Sequence, residues 1–332
     1  MTTYKDAGVD IDVANEGLSR IKKHVNKTFN KYTLSDIGSF GGCFNLPTEK
    51  YKNPVLVSSV DGVGTKLLIA ILANKHDTIG QCLVNHCVND ILVIGAKPLF
   101  FLDYFAAGKL NNDILENVIK GFSKACQENK CVLIGGETAE MPGFYDDNKY
   151  DVSGTIVGIS ERENMLPNRK TEPGNILVGL HSNGLHTNGY SLARKVLLSK
   201  YNIGEHIPRL GCSIDEELLK VHRSYLPILD DILNEPWLRS LSHITGGGII
   251  ENTHRVLDEN QDIEIDWDSW EWPTIYKMMQ EDGNIATEDM IQPFNLGIGM
   301  ILIIDKNHLS DLDAHLKSIN EEYVVMGKVV QK

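Results

Sequence analysis

Val55-Leu56-Val57-Ser58-Ser59-Val60 runs without a break into Asp61-Gly62-Val63-Gly64-Thr65-Lys66. The first six residues are apolar and β-branched enough to predict a strand. The next six place a carboxylate, flexible backbone N–H groups and an ammonium in what reads as a glycine-rich turn. A helix is predicted from about Leu67, and a longer one over Thr78 to Gly95. There Ile79, Leu83, Cys87 and Ile91 recur every four residues with Val84, Val88 and Leu92 beside them, a wide buried stripe. Strand, glycine cluster and helix in succession mark a mixed chain in which turns carry the chemistry.

The same grammar continues outward. Leu99 to Ala106 reads as a strand and Asn111 to Glu128 as an amphipathic helix with an Asn or Asp N-cap. Val132-Leu133-Ile134 reads as a short buried strand ending in Gly135-Gly136, and Val152 to Ile159 as another. The polar stretch from Glu161 to Gly174, with Pro167 and Pro173, reads as a linker. Beyond it come a strand at Ile176 to Leu180, helices from Tyr190, at Tyr225 to Leu233 and at Ile249 to Leu257, a strand at Ile298 to Ile304, a helix near His308 to Ile319, and a strand at Tyr323 to Val330. The expectation is two α+β domains, residues 1–170 and 171–332.

Bulk properties exclude several function classes. The formal net charge of −13 argues against a nucleic-acid partner, while a local site can still hold a phosphorylated small molecule. The six cysteines form no C-x-x-C pair, so neither a zinc knuckle nor a redox dithiol is indicated, and they read as reduced, mostly buried thiols. The absence of a basic-then-apolar start and of any long apolar run leads to the expectation of a soluble, cytoplasmic protein without membrane contact. No G-x-x-x-x-G-K-[ST] or G-x-G-x-x-G segment is present, so neither a P-loop nor a Rossmann site is supported.

Four glycine clusters and their acids remain. Asp61 to Lys66 suits Mg²⁺ beside phosphates, or else a tight turn in which Asp61 caps a helix and Lys66 points to solvent. Asp90 sits in an otherwise apolar helix and needs a metal or a paired Lys. Gly135-Gly136-Glu137-Thr138-Ala139-Glu140 adds two carboxylates after a buried strand, or simply surface acids after a turn. The loop His181-Ser182-Asn183-Gly184-Leu185-His186-Thr187-Asn188-Gly189-Tyr190 has donors fit for a phosphate, and His186 can transfer a proton; a capping loop reads equally well. His243-Ile244-Thr245-Gly246-Gly247-Gly248 opens a helix in the same manner.

Taken in order, these segments resemble the phosphoribosylformylglycinamidine cyclo-ligases (aminoimidazole ribonucleotide synthetases). The resemblance rests on Tyr4-Lys5-Asp6-Ala7-Gly8-Val9-Asp10-Ile11-Asp12, Asp61 to Lys66, Cys87-Val88-Asn89-Asp90, Pro98 to Tyr104 running on to Gly108-Lys109-Leu110, Gly135 to Gly143 followed by Tyr150-Asp151-Val152, Ser182 to Leu192, His243 to Gly248, and Phe294 to Met300. Two departures are visible: Leu296 where the family often has Cys, and Gly38-Ser39-Phe40-Gly41-Gly42 as a variant of the early glycine-rich segment.

The resemblance implies a two-domain ATP-binding synthetase fold. Its N-terminal domain is expected to be ferredoxin-like and to pair in a homodimer into a β-barrel, with a C-terminal α/β sandwich. It also implies ATP as co-substrate, Mg²⁺, and formylglycinamidine ribonucleotide as the small-molecule substrate. By that likeness Asp61, Asp90 and Glu137 hold the metal. Lys5, Asp6, Gly62, Gly64, Thr65, Lys66, Gly135, Gly136, Glu137 and Thr138 cradle ATP. Ser59, His186, Thr187, Asn188, Gly189, Tyr190, Thr245, Gly246, Gly247 and Gly248 hold the substrate, and Lys66 and His186 are the expected catalytic groups. Thiamine-monophosphate kinase is the alternative enzyme, and it lacks the Glu140-Met141-Pro142-Gly143 segment. An ATP-binding scaffold without turnover is the non-enzymatic alternative.

Overall fold

The computed structural model describes residues 10–332. Its first helix, α1 (Ile11–Val25), begins where Asp10 accepts from the backbone N–H groups of Asp12 and Val13. Then follow β1 (Pro54–Gly62), α2 (Lys66–Ala73), α3 (Asp77–Leu92), β2 (Lys97–Ala107), α4 (Asn112–Glu128), β3 (Val132–Glu140) and β4 (Tyr150–Glu161). These strands form one sheet in the order β1-β4-β2-β3, with β2 and β3 parallel and the other neighbours antiparallel.

This chain order is β-α-α-β-α-β-β, not the β-α-β-β-α-β of a ferredoxin-like unit, so that expectation is corrected. The cause lies in the last two strands. β3 joins the growing parallel edge beyond β2, and β4 then turns back to fill the gap between β1 and β2.

Helix α3 is buried nearly all round and lies against β1, β4, β2 and α4. Its approach to α4 is close enough to require glycine on both sides. A Cβ on Gly80 would stand 2.2 Å from the carbonyl oxygen of Val118, and one on Gly121 would stand 2.3 Å from that of Asp77. With the backbones in contact, α3 is held firmly over the sheet, and its C-terminal half ends beside β1. The opposite face of the sheet carries exposed apolar residues, Leu56 at 54 % and Val60 at 64 %.

The second half builds a five-stranded, wholly antiparallel sheet in the order β8-β10-β5-β11-β9. Its elements are β5 (Ile176–His181), α5 (Tyr190–Leu197), a small ribbon of β6 (His206–Ile207) and β7 (Cys212–Ser213), α6 (Ile214–Leu218), α7 (Leu226–Leu229), β8 (Leu238–His243), α8 (Gly248–His254), β9 (Gln261–Ile265), α9 (Thr274–Gly283), α10 (Thr287–Ile291), β10 (Ile298–Ile304), α11 (Leu309–Ser318) and β11 (Tyr323–Gln331). Alternate residues of β10 enter two different apolar clusters. Met300, Leu302 and Ile304 join the core shared with the first half, while Ile301 and Ile303 pack with Ile249, Trp270 and Met326. The sheet is therefore covered on both faces, as a sandwich requires.

The cysteines are all free, and Cys82, Cys87, Cys126 and Cys131 are buried. Among the described residues no helix is long and apolar enough to cross a membrane.

Candidate active site

Strand alternation sends Ser59 and Asp61 to the face of β1 that meets α3. On α3, His86 and Asp90 are four residues apart and so project from the same side. The result is a compact acidic centre. Asp61 Oδ2 lies 2.8 Å from His86 Nε2, and its Oδ1 accepts from the N–H of Gly62 at 2.6 Å. Asp90 Oδ2 accepts from the Ser59 hydroxyl at 2.8 Å, and its Oδ1 lies 2.8 Å from Nδ1 of His243, the last residue of β8. His86 Nε2 is also 3.9 Å from Asp90.

The second half closes the arrangement. His86 Nδ1 is 2.8 Å from Thr187 Oγ1, which is 3.3 Å from His222 Nδ1, and His222 Nε2 is 3.0 Å from His243 Nε2. A continuous string of hydrogen bonds thus runs from Asp61 through His86, Thr187, His222 and His243 to Asp90. Ionised carboxylates only accept, so His86 Nε2 and His243 Nδ1 must both donate. The string has five links, but its four neutral members carry one mobile proton each, so it needs one extra proton. When both acids are ionised, the three imidazoles and the hydroxyl between them therefore carry one positive charge, and the string as a whole is left with a net charge of −1.

The electrostatics place that charge at the Asp61 end. Burial opposes a charge on His86, but its bond to Asp61 and the nearby Asp90 outweigh burial and raise its pKa. Burial dominates at His243 and lowers it despite Asp90, and drives His222 and His186 well below the ordinary histidine value. For Asp61 and Asp90 burial alone would raise the pKa; hydrogen bonds and charge from His86 and His243 reverse this and leave both lowered. Both acids are consequently anionic near neutrality.

Several expected site residues stand elsewhere. Lys66 is 0 % exposed, and its ammonium donates to the carbonyls of His186 at 2.9 Å and Lys220 at 2.6 Å, with Cys82 Sγ at 3.2 Å. It ties α2 to two loops of the second half, with its ammonium turned into the core. The reason is helical phase: Lys66 begins α2 on the face that carries Ile69 and Ala70 into the core, while Gly64 and Thr65 stay exposed. His186 is likewise enclosed, stacked on His222 with ring centroids 3.9 Å apart, and its Nε2 accepts from the N–H of Asn183. Its backbone has φ +60°, and its ring packs inside the loop, with none of it exposed. Tyr190 is buried too and donates to the Leu218 carbonyl.

Glu137 does not join Asp61 and Asp90. The segment expected as a turn is strand β3 through Glu140, paired to β2. In the register row Gly62, Ser153, Tyr104, Glu137, the last residue lies three strands from β1, about 14 Å away at the usual strand spacing. It also points to the face opposite Asp61, which lies in the adjacent row with Gly154, Asp103 and Gly136. Gly135, Gly136, Glu137 and Thr138 instead line a cavity of about 510 Å³ together with Asp103 and the loop 38–42. Burial pushes the Asp103 carboxyl up to about 7.

Of the remaining residues, Asn188 and Gly246 bring their two loops together, a Cβ on Gly246 falling 3.2 Å from Asn188 Oδ1. The amide nitrogen of Asn188 is buried without a partner. Thr187 belongs to the hydrogen-bonded string, while the Thr245 hydroxyl donates to the side-chain oxygen of Asn252 in α8. Gly62 ends β1, Gly189 precedes α5 with φ +76°, and Gly247 and Gly248 lead into α8. Lys5 and Asp6 lie outside the described residues. Sequence reading missed His86, His222 and Asp103 as site residues, and it named His243 only as the start of a glycine-rich loop. The i, i+4 spacing of His86 and Asp90 was a usable signal; His222 had none.

Both halves of the chain match known proteins. Residues 45–160 match the model of the AIR synthase related protein, N-terminal domain, and residues 172–332 match its C-terminal domain. The phosphoribosylformylglycinamidine cyclo-ligase of Citrifermentans bemidjiense is 49 % identical over 331 residues, covering 99 % of this chain and 95 % of the relative. That of Alkaliphilus oremlandii is 45 % identical, covering 99 % and 97 %. Among solved structures, thiamine-monophosphate kinase from Stenotrophomonas maltophilia superposes with a TM-score of 0.71 at 16 % identity over 95 % of this chain and 93 % of that one. A hydrogenase maturation protein HypE in complex with ATP gives 0.65 at 18 % identity over 96 % and 86 %. The structural likenesses speak to fold alone, and the full-length sequence matches speak to kinship: this chain belongs to the AIR synthase family, among the phosphoribosylformylglycinamidine cyclo-ligases.

Proposed function

We propose that the chain catalyses the ATP-dependent cyclisation of formylglycinamidine ribonucleotide to 5-aminoimidazole ribonucleotide, releasing ADP and phosphate, in purine biosynthesis. The observation that carries this is the pair of anionic carboxylates, Asp61 and Asp90, fixed from both halves of a chain that matches the cyclo-ligases over 99 % of its length. An amide oxygen is a poor leaving group. Transfer of the ATP γ-phosphoryl group to the formyl oxygen makes it a good one, and a substrate nitrogen then attacks the same carbon and expels phosphate. What the protein must contribute is position and charge neutralisation.

A divalent cation fits the centre, since Mg²⁺ needs one or two protein carboxylates and takes its other positions from water and phosphate. Asp61 and Asp90 would hold it, and it would neutralise charge on the transferring phosphoryl group. Gly64 and Thr65, exposed where α2 begins, would receive phosphates. The cavity beside Gly135, Gly136, Glu137 and Thr138 would take the rest of the nucleotide. The loops bearing Asn188 and Gly246 would hold the substrate's ribose phosphate. The uncovered apolar face with Leu56 and Val60 supports pairing of two copies through the first sheet, and the division of the chain near residue 170 goes with it.

The test is ADP release by the purified chain with ATP, with and without formylglycinamidine ribonucleotide. Release that depends on the ribonucleotide is expected. Release indifferent to it would remove the assignment.

A further inference from the structure

The carboxylates proposed to hold a cation do not stand alone, and their neighbours bear on which cation they select. His86 Nε2 is 2.8 Å from Asp61 Oδ2, and His243 Nδ1 is 2.8 Å from Asp90 Oδ1. One donor atom each from His86, Asp90 and His243 lies within 4.8 Å of the other two. In an octahedral shell with bonds of about 2.1 Å, adjacent donors stand about 3 Å apart. Both imidazole–carboxylate pairs are hydrogen bonds of close to that edge length, so a cation that displaces the protons on His86 Nε2 and His243 Nδ1 finds the four side chains already near ligating distance.

The far nitrogen of each ring is engaged as well. His86 Nδ1 meets the Thr187 hydroxyl and His243 Nε2 meets His222, which is how metal-ligating histidines are usually oriented from behind. The donors come from β1, α3 and β8, so the set exists only when both halves are assembled. Towards Mg²⁺, a hard ion served by oxygen, these imidazoles can only position the carboxylates, whereas imidazole nitrogen is itself a good ligand for first-row transition metals.

We infer that this centre binds a first-row transition-metal dication in preference to Mg²⁺, with His86 and His243 completing a mixed nitrogen and oxygen shell around Asp61 and Asp90. The inference rests on the proposed cation site and adds its selectivity. Nothing in it alters what the ion does for phosphoryl transfer.

Mn²⁺ serves as the probe, on full-length protein stripped with a chelator and without nucleotide. Titration followed by the free-Mn²⁺ electron paramagnetic resonance signal is expected to show binding that Mg²⁺ reverses only at about 100-fold excess or more, given the ligand preferences of the two ions. Spin-echo modulation on the bound ion is expected to reveal directly ligated ¹⁴N. His86→Gln is expected to weaken Mn²⁺ at least about tenfold while changing Mg²⁺ far less, with circular dichroism to check folding. The wild-type ¹⁴N signal needs no variant, so a misfolded substitution cannot shelter the idea. Absence of ¹⁴N coupling, or displacement by equimolar Mg²⁺, overturns the selectivity while leaving Asp61 and Asp90 as a cation site. Failure of both ions to bind overturns the selectivity and the site together, and ribonucleotide-dependent ADP release then decides separately whether the proposed activity survives.

Discussion

Replacing Lys66 with Met distinguishes a phosphate ligand from an internal tie. The ammonium is fully buried and donates to the carbonyls of His186 and Lys220, which belong to the other half of the chain. Burial pulls the Lys66 pKa down, with Cys82 partly opposing. Methionine keeps most of the volume but strands two carbonyl oxygens. Each buried acceptor left unmet costs about 1–3 kcal/mol, against which the variant gains by no longer burying a charge. A net loss of about 2–4 kcal/mol is expected, which lowers the Tm of a chain this size by roughly 3–6 °C. Thermal unfolding by calorimetry, beside ATP binding measured well below the transition, gives the two readouts. The structure requires a clear drop in Tm and retained nucleotide affinity. An unchanged Tm with lost ATP binding would show that the side chain leaves the core to meet phosphate, and the reasoning would fail.

Other consequences are equally open to measurement. Asp61→Asn should abolish ribonucleotide-dependent ADP release while circular dichroism stays as in the parent; full activity at saturating Mg²⁺ would remove the acid from the site. Because burial lifts the Asp103 carboxyl from 3.8 to about 7, the folded state holds its proton more tightly than the unfolded chain does. No penalty exists below the unfolded value; one accumulates as pH rises through the interval and is complete above about 7, with an upper limit of about 4 kcal/mol. Asp103→Asn should therefore gain Tm relative to the parent between pH 5 and pH 8, and a gap independent of pH would contradict the assignment. Gly80→Ala places a Cβ 2.2 Å from a backbone oxygen of α4, so about 3 kcal/mol or more of destabilisation is expected from chemical denaturation, and a neutral result would mean the helices are not in contact.

Much of this molecule is legible in one dimension. Periodicity is a local property, so α3, α4, β2, β10 and β11 begin and end within a few residues of where apolar spacing and caps place them. The glycine clusters and the acids Asp61 and Asp90 were also readable, because a carboxylate in an apolar helix announces a partner even when that partner is unknown.

Partners are what the linear pattern lacked. Gly135 to Glu140 looked like a turn until β2 supplied hydrogen bonds that make it a strand; β4's insertion between β1 and β2 then set Glu137 three strands from Asp61, and the pairing register turned it to the opposite face. Lys66 looked like a phosphate ligand because its charge is visible in sequence, whereas the carbonyls that capture it lie 120 and 154 residues away. The histidine string needs the same long reach, joining β1 and α3 to Thr187, His222 and β8 across the seam. Composition and spacing determined which elements form and which side chains are chemically able. Only tertiary packing decided which of those meet, because burial and hydrogen-bond pairing are set by residues far apart in the chain.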